Sequence, residues 1–235
     1  LQSAVTIKGE AHRYAPKAIP ELDQAVGLAR LALGLLENLS YMDRLLGGED
    51  LLSHAARIHL GEVVQDVRGI FTALARVKNL QMEVDAVAWN AQDRRLWGDR
   101  GLIAQLVFNL IHNALRYARA DTTVRVYGGE EKGRIFLTVA DVGLRIPPDQ
   151  RERVFDRGYR TSKARAMDPS GTGLGLWLVR RICDLHRAEI KCEEEEYHEQ
   201  IWTVFRVWFP PAGAGGGRPG LRDEATLGVD PGPGL

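Results

Sequence analysis

Cysteine is scarce in this 235-residue chain: Cys183 and Cys192 are the only two. Their spacing fits neither a zinc site nor a disulfide framework, so both read as buried free thiols of a reducing compartment. An excess of either charge is also missing, since Lys plus Arg and Asp plus Glu each number 31. Global attraction to nucleic acid or to an anionic membrane is thereby excluded. No apolar run approaches the roughly 20 residues that span a bilayer, and no signal peptide opens the chain. The expectation is a cytoplasmic protein, joined to a membrane only through segments absent from this chain. No internal repeat is visible. The apolar share of 45% and charged share of 26% suit an ordinary globular domain with a sizeable core.

One long helix is expected from Pro20 to about Leu46. Pro20 suits a first helical position, Glu21 and Asp23 suit the positive first turn, and Gly47-Gly48 stop it. Two apolar stripes run along it, Leu22, Val26, Ala29, Leu33, Leu36 and Leu28, Leu31, Leu35, Met42, Leu45. A helix apolar on two faces packs against more than one neighbour, within a bundle-type dimer or inside one monomer. A second pattern follows: a helix from Leu60 to about Val77, strands at Leu80–Val84 and Arg94–Trp97, and a helix from Asp99 to Ala118. Alternating runs at Thr123–Tyr127 and Arg134–Ala140 flank Gly128-Gly129-Glu130-Glu131-Lys132-Gly133 as a hairpin. Strands are also expected at Glu189–Glu195 and Ile201–Phe209, after a helix that starts beyond Gly171. The Gly/Pro-rich segment 211–235 reads as a disordered tail.

Chemistry concentrates in three places. On the Asp99–Ala118 helix, Gln105, Asn109, Asn113 and Arg116 recur at spacings of four, four and three, hence on one face. Such a row is either a set of water-bridged polar residues or a metal-phosphate face, because carboxamide oxygen is a hard ligand suited to Mg²⁺. Arg116 then neutralises phosphate and Tyr117 lies against a base or ribose. Asp141, at a strand end beside Gly143, suits an exocyclic amine donor, although turns use the same residues. Phe155 through Lys163 mixes an aromatic anchor with cations, as a lid over a polyphosphate or an exposed basic loop. Gly171-Thr172-Gly173-Leu174-Gly175-Leu176 runs into an apolar periodic helix. That turn offers free N–H groups and a positive dipole end to a phosphate.

These motifs, in order, resemble the asparagine, first glycine, phenylalanine and second glycine boxes of sensor histidine kinases, within the GHKL ATPase superfamily. The resemblance covers about residues 60–210. It implies an α+β protein: a helical hairpin of dimerisation (residues 1–55), then an α/β sandwich of Bergerat type, a mixed sheet backed by three helices. By that resemblance ATP and Mg²⁺ are the cofactors and Asn113 is the metal ligand, with Asn109 and Arg116 near the phosphates. Tyr117, Asp141, Gly143 and Ile146 would line the nucleoside end, and Phe155, Tyr159, Arg160 and Thr161 the lid. Gly171, Thr172, Gly173, Leu174, Gly175 and Leu176 would form the phosphate loop. The implied activity is autophosphorylation on histidine and transfer to a response regulator receiver domain, in a homodimer joined through the N-terminal helices.

Three features depart from or sharpen this pattern. Asn109 stands where the hydrolytic branches have a glutamate base, which favours phosphoryl transfer to protein over hydrolysis. Arg145 replaces the second glycine of the first glycine box, so either the position is strained or the loop takes another path. The phosphoacceptor candidate is His12 in Gly9-Glu10-Ala11-His12-Arg13-Tyr14-Ala15-Pro16. It has Arg13 in place of a following carboxylate, and its proline comes one residue early. His54 and His59 are weaker candidates; His112 and His186 read as packing or capping residues. A nucleotide-binding pseudokinase or scaffold, and a serine kinase of anti-sigma type, are the alternatives.

Overall fold

The computed structural model describes residues 19–47, 51–85 and 95–211. His12, the first arm of the expected hairpin and the segment 212–235 lie outside the described residues. The described elements begin with helix α1, Ile19–Leu46. Next come β1 (Ala56–His59), α2 (Leu60–Val77), β2 (Gln81–Val84), β3 (Arg95–Gly98) and α3 (Arg100–Tyr117). The hairpin β4 (Thr123–Glu131) and β5 (Arg134–Asp141) follows. After it stand α4 (Ser162–Met167), α5 (Gly175–Leu185), β6 (Glu189–Tyr197) and β7 (Gln200–Trp208).

A five-stranded mixed sheet in the order β2-β4-β5-β7-β6 carries the domain. β2 runs parallel to β4, and the other neighbours are antiparallel. Helices α2, α3 and α5 back one face. Phe71, Leu106, Leu110, Ile111, Leu137, Leu178, Ile182 and Phe205 fill the layer between at close to zero exposure. Helix α3 starts where Asp99 accepts a hydrogen bond from the Leu102 amide at 2.9 Å. At the end of α2, Asn79 adopts φ 51° and the Leu80 amide returns to the Ala75 carbonyl, a left-handed stop that asparagine tolerates. The mixed sheet on three helices is the architecture expected from the sequence.

Four local features differ from the sequence-based expectation. Gly128 to Glu131 continue β4 instead of forming a loop. The turn shrinks to Lys132 and Gly133, at φ 51° and 76°, the two positive values that a tight hairpin with native twist requires. β1 and β3 form a separate two-stranded sheet, and β1 was not foreseen. Helix α4 appears inside the expected lid loop, capped by Thr161 Oγ1 on the Ala164 amide at 3.0 Å. Lastly, α1 docks through neither leucine stripe as a whole: Leu31 and Met42 of the second are packed, but its Leu28 and Leu35 and the first stripe's Leu33 and Leu36 are not. Its packed face runs through Gly27, Leu31, Gly34, Asn38 and Met42, whereas Leu28, Leu33, Leu35, Leu36 and Leu39 are exposed.

Gly143 is set by packing. Its backbone pairs with Ala118, and a Cβ there would fall 2.1 Å from the Tyr117 carbonyl oxygen. Because that neighbour is backbone, Gly143→Ala is expected to destabilise the domain by about 1–3 kcal/mol. Chemical denaturation measures it, and an unchanged midpoint would show that the loop moves aside freely. Both thiols are buried, and burial pushes Cys192 up to about 12 and Cys183 upward as well.

Candidate functional site

A cleft opens between α3, the ends of β5 and β7, the lid segment and the start of α5. Asn109, Asn113, Arg116, Tyr117, Asp141, Ile146, Tyr159, Arg160, Thr161, Gly171, Thr172, Gly173, Gly175 and Leu176 all line it. Residues from Asn109 to Leu176, far apart in sequence, thus converge on one cavity. Gly143, Phe155 and Leu174 are not on its wall. Gly143 lets the β5–lid connection approach the end of α3. Phe155 is buried beneath the lid, edge-on to Phe205 at 6.2 Å, with the Arg180 guanidinium 4.6 Å from its ring centroid. Leu174 is the residue before α5 and packs on the core.

Asp141 sits at the closed end, 2% exposed, and its Oδ1 has no hydrogen-bond partner among the described residues. Burial without a compensating partner raises its pKa to about 8. A buried acceptor without a donor is costly, so this oxygen fits a ligand N–H. At the opposite end α5 begins without a side-chain cap, so its first amides and dipole face the cleft through Gly175 and Leu176. Gly173 has φ 70°, and a Cβ there would press on the backbone of Gly158 and Tyr159. The glycine loop is therefore held close against the lid, as the Gly158 amide bonded to the Gly173 carbonyl at 3.1 Å also shows.

The polar row on α3 divides into different states. Asn113 is half-buried, lines the cleft and makes no side-chain hydrogen bond among the described residues. Asn109, one turn earlier, is 4% exposed and fully engaged. Its Nδ2 donates to Asn38 Oδ1 at 2.7 Å and to the Gln105 carbonyl at 2.9 Å, and its Oδ1 accepts from Asn38 Nδ2 at 3.1 Å. Arg116 is paired with Asp168 of the lid and reaches Ser170 at 3.3 Å. Hydrogen bonds from Ser170, followed by those of Arg116, hold Asp168 down at about 2. A phosphate at Arg116 would thus replace a carboxylate already there. Arg160 spans the lid, donating to the Gly171 carbonyl at 2.8 Å, the Ala164 carbonyl at 2.7 Å and the Asp168 carbonyl.

Arg145 is unstrained. Its φ is not positive, and its guanidinium forks onto Glu194 at 3.2 and 2.9 Å, away from the cleft. The backbone at Arg145 thus carries none of the strain that a left-handed position would impose. His112 stacks on Phe71 at 6.2 Å. Burial, then the cations Arg116 and Lys78, lower it to about 4, so it is neutral at neutral pH. His186 accepts from the Asp99 amide through Nε2 at 3.1 Å, so its Nδ1 carries the proton donated to the Ile182 carbonyl at 2.8 Å. Sequence reasoning missed Leu144, Val154, Thr203 and Phe205 on the cleft wall. They sit on regular strands or turns with no local signature. Among the described residues no cluster of three or more His, Cys, Asp or Glu side chains is placed to hold a metal. A cation here would depend on the Asn113 carboxamide, water and ligand oxygens, which is how Mg²⁺ is commonly bound.

An orphaned carboxylate at one end and an uncapped, glycine-rich helix start at the other suit a ligand that carries an N–H donor and an anionic group. Residues 98–213 match the family of histidine kinase-, DNA gyrase B- and HSP90-like ATPases. The sensor-like histidine kinase SenX3 of Mycolicibacterium smegmatis is 31% identical over 179 residues, 76% of this chain and 44% of that protein. Sensor histidine kinase RppB of Synechocystis sp. is 30% identical over 145 residues, 62% of this chain and 31% of that protein. The catalytic domain of histidine kinase ThkA superposes with a TM-score of 0.54 at 24% identity, covering 67% of this chain and 95% of that one. Residues 98–213 thus carry a domain of this ATPase family, and the chain is similar to sensor histidine kinases. It spans less than half the length of these two curated relatives. No helix among the described residues is long and apolar enough to cross a membrane.

Proposed function

We propose that this chain is the transmitter part of a two-component histidine kinase, which phosphorylates a histidine from ATP and passes the group to a response regulator. The observation that carries the reading is the unpartnered Asp141 oxygen at the closed end of a cleft whose other end is the start of α5. Asp141 would accept from the adenine amine, and Ile146 and Phe205 would sandwich apolar surface around the base. Asn113 would lend its oxygen to a magnesium ion that neutralises the phosphates. The α5 amides and Arg116, once released by Asp168, would hold the phosphate chain. Asn109 carries no carboxylate, so no side chain at that position can activate water, which favours transfer to protein over hydrolysis. Catalysis of this kind rests on positioning and charge neutralisation.

His12 is the proposed acceptor, within a helical element of about residues 1–55 preceding an ATP-binding domain of about 60–210. The exposed leucines of α1 support a homodimer through this element, because a row of large apolar side chains on one helix is suited to a second helix. The proposed setting is the cytoplasm. Incubation with Mg²⁺ and labelled ATP tests the reading. An acid-labile, base-stable adduct that disappears in His12→Ala is expected. An acid-stable adduct would indicate a serine kinase instead, and binding without any adduct a pseudokinase. No detectable binding of ATP would sink the proposal.

A further inference from the structure

Asn109 and Asn113 lie one turn apart on the same helix, yet only Asn113 is free to meet a ligand. The difference comes from α1. Asn38 closes a buried amide cluster in which its Oδ1 accepts from Gln105 Nε2 and from Asn109 Nδ2, each at 2.7 Å. Its own Nδ2 returns to Asn109 Oδ1 at 3.1 Å, and Gln105 also donates to the Gly34 carbonyl at 3.1 Å. Both N–H groups of Asn109 are therefore used, and its oxygen is shared, on the side of the helix that faces α1.

The seat of α1 is shaped to permit this contact. A Cβ at Gly27 would fall 3.0 Å from the Ala73 methyl, and one at Gly34 would fall 2.5 Å from Phe108 Cζ. Gly27, Gly34 and Asn38 share a face, so α1 approaches α2 and α3 through its smallest residues and inserts Asn38 between Gln105 and Asn109. A carboxamide cluster buried this deeply has no intermediate position. Shifting α1 by part of a turn breaks several of its hydrogen bonds together and leaves buried donors unpaired. Such contacts separate as a unit.

We propose that Asn38 is a positioning residue of an internal latch: with α1 seated it withholds the Asn109 carboxamide from the cleft, and departure of α1 releases it. Asn109 Oδ1 already stands on the glycine-loop side, where a Cβ on Gly175 would be 3.0 Å away. Once freed from Asn38, the carboxamide needs only a side-chain rotation to reach phosphate or metal-bound water. The leucines on the outer face of α1 give the departing helix somewhere else to pack. Movement of the N-terminal element thus becomes a change in nucleotide affinity. This inference rests on the reading of the cleft as a nucleotide site.

The test measures the dissociation constant of a fluorescent ATP analogue with Mg²⁺, together with hydrogen exchange across α1, in the complete chain. Asn38→Ala removes the amide contact, and Gly34→Leu unseats α1 by a clash with Phe108 while keeping all three side-chain amides of the cluster. Both are expected to bind nucleotide three- to tenfold more tightly, with faster exchange in α1. A Gly27→Cys, Ala73→Cys pair, oxidised to pin α1 on α2 with Asn38 intact, is expected to bind more weakly until reduced, a reversal within one folded protein. Faster exchange with unchanged or weaker nucleotide binding would make Asn38 a structural prop and overturn the latch. A parent protein that binds no nucleotide fails the reading of the cleft itself, whereas binding by the parent that neither variants nor disulfide alter fails the latch alone.

Discussion

An Asp141→Leu variant is expected to be more stable than the parent protein above pH 7 and to lose adenine nucleotide binding altogether. The two effects have opposite signs because, under the proposed function, the carboxylate would serve a ligand at the expense of the fold. Its pKa stands near 3.8 when exposed and about 8 in the folded protein, through burial. Between those values the folded chain keeps a proton that the unfolded chain releases. Stability must therefore fall as pH rises through that window and level off above about pH 8. The total over the window is a few kcal/mol. Leucine removes this dependence, and Asp141→Asn, which keeps the shape, removes it too. Thermal melting from pH 5 to pH 9 reads the difference between parent and variants. In the parent, nucleotide affinity should also rise with pH towards 8, because the ionised carboxylate is the stronger acceptor for an amine. A leucine variant that melts earlier than the parent at pH 8.5, or that still binds ATP, would remove Asp141 from this role.

The second large effect separates the two asparagines. Asn113→Ala should leave the melting temperature nearly unchanged, since its half-buried side chain makes no hydrogen bond among the described residues. Surface-like substitutions of this sort stay within about 0.5 kcal/mol. Labelling from Mg·ATP should nevertheless fall by on the order of 100-fold or more, because even groups that only support a metal ligand are worth about 10–100-fold. Asn109→Ala should behave differently. It strands Asn38 and Gln105 inside the protein and is expected to lower stability by about 2–4 kcal/mol. Parallel melting and labelling of the two variants decides the matter. Labelling that survives Asn113→Ala would assign the metal elsewhere.

These contrasts mark what could be read from the sequence. The α3 face was legible because four polar residues at helical spacing interrupt an apolar helix. The glycine loop was legible because three alternate glycines precede a periodic run. The hairpin was legible in its strands but not in its turn: Gly128 and Gly129 look like a loop, yet their strand pairs with Leu137 and Phe136 inside the sheet. The four residues of β1, Ala-Arg-Ile-His, alternate apolar and polar but are too few to stand out as a strand. Asn38 had no signal at all. It is an ordinary polar residue among leucines, and its meaning comes from side chains 67 and 71 residues further along. Arg145 misled in the opposite direction: its place in the motif suggested a left-handed position, but its φ is not positive and its side chain is anchored on Glu194.

The two buried thiols have a practical meaning. A thiol reagent attacks only the thiolate, and both native groups are shielded and held protonated at neutral pH. A cysteine introduced at exposed Met167 on the lid, or at Leu36 on the outer face of α1, would therefore take a fluorescent label alone. The wild-type background is already silent, so lid closure and helix departure can each be followed by one dye in an otherwise unaltered chain.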